Sequence, residues 1–247
     1  HRLLNTFLGR SLPPQELEEL LFSLGYELES VEGDVLSIDL TAERPDLAST
    51  AGLARLLKAY LGIQKGLPTY VVKKSEYRVL VNPTVKHVRP YTVAAVVKGL
   101  HFDDARIKEL ISIQEKLHAT YGRGRKKAAI GIYPLEQIIW PISYFAEDPA
   151  KVRFVPLDFS ESITGREILE QHPMGITYKH LLHDMRQFTF FMDAKQQILS
   201  MPPIINAQRL GKVTEQTKEV FIECSGHDFH ALNNVLNILV TLLVDMG

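Results

Sequence analysis

The first 70 or so residues contain two stretches with apolar side chains at helical spacing and one stretch in which they alternate. The first helical stretch follows Pro13-Pro14 and stops at Gly25, and its apolar stripe is Leu17, Leu20, Leu21 and Leu24. Apolar and polar residues alternate over 36–40, which predicts a half-buried strand. The second helical stretch stops at Gly62, and its stripe is Leu53, Leu56, Leu57, Tyr60 and Leu61. Because residues 66–68 have the Gly and Pro of a linker, we predict a small N-terminal domain over 1–68 and a larger domain over 69–247.

Beyond the linker, strand patterns alternate with separated helices. The predicted strands cover 77–81, 91–98, 128–133, 142–146, 151–157, 187–193, 197–200 and 220–224. Asp103 is the predicted N-cap of a helix that runs to Tyr121, and Asp228 that of the closing helix. Thr164 and Glu167 have the spacing of a capping box, in a short helix that we expect Pro173 to end. This mixture predicts an α+β fold with a largely antiparallel or mixed sheet.

Composition argues against a disulfide-stabilised protein and against a strongly basic one. Hydrophobic residues make up 45% and charged residues 23% of the chain, as in a globular protein with a buried core. The 28 Lys and Arg nearly balance the 29 Asp and Glu, so any nucleic-acid contact needs a local basic patch. The single Cys224 excludes an internal disulfide and fits a reducing compartment, and the nine histidines show no metal-binding spacing.

The sequence shows no signal peptide and no apolar run that we expect to span a membrane. The most apolar stretch, 231–244, is interrupted by three asparagines, so we predict a core helix there. We therefore expect a cytoplasmic protein. The first residue is His rather than Met, so we also expect the chain to be a piece of a longer one.

Two features of the long helix and the loop after it have both a structural and a functional interpretation. Gln114 falls on the apolar stripe of the helix, either as a hydrogen-bonded core amide or as a pocket residue that reaches a ligand. The basic run after the helix forms either a solvated loop or a patch that faces phosphates. The run consists of Arg123, Arg125, Lys126 and Lys127.

Two further features lie near the C-terminal end. Ser200 and Asn206 flank a segment stiffened by Pro202-Pro203, either as a structural corner or as preorganised polar groups. In the strand over 220–225, Glu223 and Ser225 share a face, which is either exposed or lines a pocket. No residue is a clear general base, and we see no convincing Ser-His-Asp arrangement.

Collinear motifs resemble the beta subunit of archaeal and eukaryotic phenylalanyl-tRNA synthetase. They cover 113–118, 122–131, 154–157, 168–175, 199–206 and 214–226, and the Arg44-Pro45-Asp46-Leu47 and Gly52-Leu53-Ala54-Arg55 stretches resemble the small N-terminal domain of the same subunit. The resemblance implies an editing module that hydrolyses tyrosine from phenylalanine tRNA. It implies no cofactor for this chain. For the complete enzyme it implies ATP, magnesium and an alpha subunit, with two alpha and two beta chains.

The same resemblance assigns residues. Those that match the family's pocket for the tyrosine are Gln114, Arg125, Phe191, Ser200, Asn206, Glu223, Ser225 and Gly226. Glu223 matches the carboxylate that reads the tyrosine hydroxyl, while Arg123, Arg125, Lys126 and Lys127 become candidates for contact with tRNA. A water positioned by the pocket is the expected nucleophile. Phe191 stands where the family has Leu, which leaves a second hypothesis: a scaffold or tRNA-binding module without editing activity.

Overall fold

The structure is a computed structural model that describes all residues, 1–247, with seven α-helices and twelve strands. The helices are α1 (Arg2–Leu8), α2 (Pro14–Ser23), α3 (Thr50–Tyr60), α4 (Asp104–Ala119), α5 (Gly165–Gln171), α6 (Pro173–Tyr178) and α7 (Phe229–Met246). Several begin at the expected side chains. Asp103 and Asp228 accept hydrogen bonds from backbone N–H groups of α4 and α7, and Thr164 and Glu167 form the predicted capping box of α5.

The strands form two larger sheets and two strand pairs. The strands are β1 (Glu27–Glu32), β2 (Val35–Asp39), β3 (Val79–Val81), β4 (Tyr91–Lys98), β5 (Ala128–Pro134), β6 (Ile142–Glu147), β7 (Arg153–Phe154), β8 (Ile163–Thr164), β9 (Phe188–Met192), β10 (Ile198–Met201), β11 (Ile205–Asn206) and β12 (Glu219–Gly226). One sheet has the order β4-β12-β5 and is antiparallel. The other has the order β11-β10-β9-β6-β3, with only β3 and β6 parallel. The predicted α+β fold with a mixed sheet is confirmed.

The β4-β12-β5 sheet is covered on both faces. On one face, Ile222 and Cys224 belong to a large apolar cluster with α4 and α7. On the other face, Phe221 packs in a second cluster with residues of β6 and β9. Since side chains alternate along a strand, Glu223 and Ser225 point to the same face as Phe221 and are buried between elements.

Some expected elements differ from those observed. The predicted strand over 151–157 was wrong in extent, because only Arg153–Phe154 pairs in a ladder. Pro173 follows the end of α5 as expected, but it also opens α6, where a proline at the first helical position is favourable. The pattern also missed α1, which is short, and β1, whose side chains are mostly exposed.

The region 1–68 shares its core with the rest of the chain. Leucines of α1, α2 and α3 lie in the same apolar cluster as those of α4 and α7. Arg55 of α3 also makes an ion pair with Asp245 of α7 at 3.2 Å, and the Tyr70 hydroxyl donates to Asp245 at 3.0 Å. The proposed boundary at residue 68 therefore separates segments that pack together.

The closing helix α7 has the length and hydropathy of a membrane span. Its buried side chains include Leu232, Val235, Leu239 and Leu243, all within the large apolar cluster. One face of α7 therefore packs in the core beside the β4-β12-β5 sheet.

Candidate functional site

A cavity of about 480 Å³ lies where α4, the β4-β12-β5 sheet and the segment 200–206 meet. This volume is in the range of small-molecule sites. The apolar stripe predicted for α4 contributes Ile107, Leu110 and Ile111 to the wall, with Gln114 one turn further on. Residues on both sides of Pro202-Pro203 also line the cavity, namely Ser200, Ile204, Ile205 and Asn206. Most of the exposed wall is apolar surface, but ten of the 24 lining residues are polar or charged.

Glu223 is the acidic group buried in this wall. Its side chain is 2% exposed, and its Oε1 accepts a hydrogen bond from the Tyr133 hydroxyl at 3.2 Å. Its Oε2 is buried and has no hydrogen-bond partner. Burial raises the pKa of Glu223 to about 8, against the opposing effects of the Tyr133 hydrogen bond and the Arg89 charge. Burial therefore favours the protonated form of Glu223 at neutral pH.

The Tyr133 hydroxyl links three of the predicted site residues. Besides Glu223, it contacts Ser200 Oγ at 2.8 Å and Asn206 Oδ1 at 3.4 Å. Ser200 and Asn206 are adjacent because they are direct partners in the β10–β11 ladder, across the turn that contains Pro202-Pro203. Burial raises the pKa of Tyr133, so its phenol keeps its proton at physiological pH. Tyr133 was missed from sequence because it lies in a strand of apolar residues.

Arg125 is buried in the wall rather than displayed in the basic loop. Its guanidinium donates to Glu115 Oε1 at 3.0 Å and to the Ile204 carbonyl at 2.9 Å, and lies 4.3 Å from the centre of the Tyr178 ring. Its backbone is left-handed, with φ of 66°. Arg125 thus joins the end of α4 to the segment 200–206.

Glu115 and His118 complete this polar corner of the cavity and were also missed from sequence. His118 Nε2 accepts from the Ile130 N–H at 2.9 Å, so its Nδ1 carries the proton and faces Glu115 Oε1 at 3.3 Å. The hydrogen bond from His118 and the charge of Arg125 lower the pKa of Glu115. Glu115 is therefore an ionised carboxylate at the cavity.

Gln114 is both a hydrogen-bonded amide and a pocket residue, so both interpretations of it hold. Its Nε2 donates to the Ile130 carbonyl at 3.1 Å, which pairs the amide within the protein. The same side chain lines the cavity. Gln114 is thus a hydrogen-bonded amide held at the surface of the pocket.

Three predicted pocket residues lie behind the cavity wall. Ser225 Oγ accepts from Arg89 Nε at 3.1 Å, and this fully buried arginine also donates to the carbonyls of Arg125 and Ser225. Phe191 stacks on Tyr144 with ring centres 4.3 Å apart. At Gly226, a Cβ atom would stand 2.1 Å from the Lys127 carbonyl oxygen. The structure thus brings Gln114, Arg125, Ser200, Asn206 and Glu223 to the cavity, while Phe191, Ser225 and Gly226 support it from outside.

The basic run divides into buried and exposed members. Arg123 and Lys126 are exposed, whereas Lys127 is half-buried and makes an ion pair with Asp228 at 3.1 Å. Only the exposed pair is free to face a large anionic partner. Elsewhere, no group of three His, Cys, Asp or Glu side chains has an arrangement that could hold a metal ion.

Comparison with known proteins identifies the family. The chain is similar to an N-terminal fragment of the phenylalanyl-tRNA synthetase beta subunit from Pyrococcus horikoshii, solved by crystallography, with a TM-score of 0.95 and 40% identity over 99% of this chain and 72% of that one. This chain belongs to the phenylalanyl-tRNA synthetase beta-subunit family. The resemblance expected from its motifs is confirmed, and it matches the N-terminal part of the subunit.

Curated relatives of this beta-subunit family agree. The phenylalanine–tRNA ligase beta subunit of Methanothrix thermoacetophila is 45% identical over 88% of this chain, and that of Pyrococcus abyssi is 41% identical over 99%. The chain spans 40% and 45% of the length of these two relatives. No protein-family model matches the sequence.

Proposed function

We propose that this part of the beta subunit hydrolyses tyrosine that has been attached in error to phenylalanine tRNA. The observation that carries the proposal is the unpartnered Oε2 of Glu223, a buried carboxyl oxygen in the wall of a largely apolar cavity. An aromatic side chain fits such a wall, and a phenol hydroxyl supplies the missing hydrogen bond. Phenylalanine leaves that oxygen unpaired, at a cost of roughly 1–3 kcal/mol.

The need for a second site follows from the limits of a binding pocket. A hydrophobic pocket built for phenylalanine rejects an isostere with one added hydroxyl only by about a hundredfold. A separate site that uses the hydroxyl as a positive signal multiplies this discrimination. Glu223 is suited to this role because its Oε2 is the acceptor left without a partner in a wall whose other unpartnered polar atom, Arg125 Nε, is a donor.

Hydrolysis is assigned to a water molecule held at the ester. The water attacks the carbonyl carbon, a tetrahedral intermediate forms, and the ribose oxygen leaves as a hydroxyl while tyrosine is released. Gln114, Arg125 and Asn206 are the polar groups that would orient the ester and the terminal ribose, so proximity and electrostatic stabilisation contribute most of the rate. We assign no general base, and we infer that a ribose hydroxyl assists the proton transfer; full activity on tRNA with a deoxy terminus would exclude that assistance.

The complete enzyme is proposed to be a cytoplasmic phenylalanine–tRNA ligase. The beta subunit would act with an alpha subunit, as two alpha and two beta chains, and the complete enzyme would use ATP and magnesium for aminoacylation. We propose no cofactor for this chain.

Deacylation assays test the editing proposal. Tyrosyl- and phenylalanyl-esters of phenylalanine tRNA are incubated with this chain, with Glu223→Ala, and with Glu219→Ala as the control. Glu219 lies on the same strand and pairs with Lys98 at the surface, away from the cavity. We expect selective loss of the tyrosyl ester, reduced about 5- to 150-fold in Glu223→Ala and unchanged in Glu219→Ala.

Absence of hydrolysis would exclude the editing proposal. If neither ester is cleaved faster than without protein, even after the alpha subunit is added, the editing proposal fails. A tRNA-binding scaffold then accounts for the same fold.

A further inference from the structure

The Glu223 carboxyl has one hydrogen-bond partner, the hydroxyl of Tyr133. Tyr133 reaches it from β5, the strand paired with β12. The same hydroxyl contacts Ser200 and Asn206, which line the cavity from the segment 200–206. Tyr133 therefore stands between the carboxyl and the segment 200–206, at the centre of the polar groups.

The numbers of donors and acceptors around the Tyr133 hydroxyl limit which hydrogen bonds can form together. A phenol donates one proton and accepts through its oxygen, a serine hydroxyl does the same, and the Asn206 Oδ1 atom only accepts. Ser200 can donate to the Tyr133 oxygen, which leaves the phenol proton for either Glu223 or Asn206. An ionised carboxylate is the stronger acceptor, so it takes the phenol proton when Glu223 is charged.

We propose that Tyr133 is a specificity-determining positioning residue, whose hydroxyl fixes Glu223 Oε1 and thereby directs Oε2 at the hydroxyl of a bound tyrosyl group. One carboxyl would hold two phenols, one from the protein and one from the substrate. This inference rests on the proposed editing function and names a residue that acts in it through Glu223.

The ring of Tyr133 is held independently of its hydroxyl. It stacks on Phe221 with ring centres 5.7 Å apart, and Phe221 meets Trp140 edge to face at 5.2 Å. The terminal torsion of a glutamate is broad, so without an anchor the carboxyl samples many orientations. The packed ring turns the hydroxyl into a fixed point, and removal of the oxygen alone leaves the ring in place.

The charged and titratable groups near Glu223 lie on its own strand and on three segments packed nearby. Tyr133 lies on β5, Arg89 precedes β4, and Cys224 is the neighbour on β12. Tyr144 of β6 has its own pKa raised in part by Glu223. Of these groups, Tyr133 and Arg89 lower the pKa of Glu223 against the effect of burial. Loss of the Tyr133 hydroxyl is therefore expected to raise that pKa further.

The test compares Tyr133→Phe with Tyr144→Phe in this chain. Both remove the hydroxyl of a fully buried tyrosine, but Tyr144 donates to the Arg89 carbonyl, whereas Tyr133 hydrogen-bonds to Glu223. Binding of free tyrosine and phenylalanine is measured by calorimetry from pH 6.5 to 9. In Tyr133→Phe we expect the tyrosine-to-phenylalanine affinity ratio to fall about 5- to 100-fold, and the pH at which tyrosine preference develops to move upward. In Tyr144→Phe we expect both to stay at the values of the unchanged chain.

A double mutant shows whether Tyr133 acts through Glu223. If it does, Tyr133→Phe combined with Glu223→Gln loses no more tyrosine preference than Glu223→Gln alone. Additive losses overturn the inference. So does an unchanged affinity ratio in Tyr133→Phe.

The outcomes separate this inference from the editing proposal. If the unchanged chain cleaves the tyrosyl ester selectively and Tyr133→Phe does so with equal selectivity, the inference alone fails. If the unchanged chain neither prefers tyrosine nor cleaves its ester, the editing proposal fails first. Should Tyr133→Phe not fold, Glu223→Asp withdraws the carboxyl from Tyr133 by one methylene, and retained tyrosine preference in that variant overturns the inference.

Discussion

Gly131 lies directly opposite Glu223 in the β5–β12 pair, and a Cβ atom at position 131 would stand 2.5 Å from Glu223 Oε1. The same atom would stand 2.2 Å from the Tyr133 hydroxyl oxygen. A side chain at this position is therefore excluded by the polar pair itself, and the backbone of β5 forms the surface on which the carboxyl and the phenol meet.

Gly131→Ala is expected to displace the Glu223–Tyr133 pair. The added methyl overlaps both polar groups, and overpacking of a buried site costs about 1–3 kcal/mol. We expect a lower free energy of unfolding in urea and a loss of tyrosine preference. Combination with Tyr133→Phe removes one of the clashing atoms, so the double mutant should lose less stability than the sum of the single changes; strict additivity would contradict this account.

Glu223→Gln is expected to stabilise the chain, and more so at alkaline pH. The pKa of Glu223 is about 8 in the folded chain against an ordinary 4.5, so the folded chain retains a proton that the unfolded chain releases in this window. The free energy of unfolding therefore falls as pH rises from 4.5 to 8, by up to roughly 5 kcal/mol. In Glu223→Gln the amide does not titrate, so the free energy of unfolding does not have this dependence on pH.

Urea unfolding at pH 5.5 and pH 8.5 measures the difference. We expect the advantage of Glu223→Gln over the unchanged chain to grow by roughly 3 kcal/mol between the two conditions. Glu219→Gln, on the same strand but at the surface, should show no such growth. An advantage that is independent of pH would mean that Glu223 is not held protonated by burial.

Local signals in the sequence predicted much of the fold. The caps at Asp103, Thr164 and Asp228 satisfy backbone groups within three residues, so short-range pattern was sufficient to place them. The strands predicted over 187–193 and 197–200 were likewise confirmed, as the antiparallel pair of β9 and β10. In contrast, the mostly exposed β1 has too few buried positions to give an apolar alternation, and it was missed.

The candidate site could not be predicted fully from the pattern of residues along the chain, because it depends on contacts between distant segments. Tyr133 has a polar role only because Ser200, Asn206 and Glu223 approach it from other strands. Arg89 is buried by long-range contacts that its neighbours along the chain do not indicate. The resemblance to a known family supplied five residues of the cavity wall but not the hydroxyl that connects them.

Arg125→Lys is expected to be disruptive although the charge is kept. The guanidinium contacts Glu115, the Ile204 carbonyl and the Tyr178 ring together, and a lysine ammonium cannot match this planar arrangement. We expect a loss of about 1–3 kcal/mol in urea unfolding, with weaker tyrosine binding. Arg123→Lys, which changes an exposed neighbour, serves as the control and should match the unchanged chain.

Arg123→Ala with Lys126→Ala is expected to weaken tRNA binding without a change in tyrosine affinity. Both side chains are exposed, so their loss removes phosphate contacts but no packing. The slope of the logarithm of affinity against the logarithm of salt concentration should fall by roughly 1 to 2. Filter binding at several salt concentrations measures the slope. An unchanged slope would place the tRNA on another face.

Leu57→Ala is expected to lower the stability of the entire chain rather than that of the first 68 residues alone. Leu57 of α3 is fully buried in the apolar cluster that also holds leucines of α4 and α7, so its truncation leaves a void costing about 2–5 kcal/mol. The single Trp140 lies in the second cluster, beyond residue 69, and its fluorescence reports the unfolding of that region. We expect the urea midpoint read from Trp140 to fall in Leu57→Ala and to stay in place in Leu67→Ala, whose side chain is 95% exposed. A midpoint unaffected by Leu57→Ala would show that the N-terminal region unfolds as an independent domain. A lower midpoint in Leu57→Ala means that the predicted boundary at 68 divides a single cooperative unit.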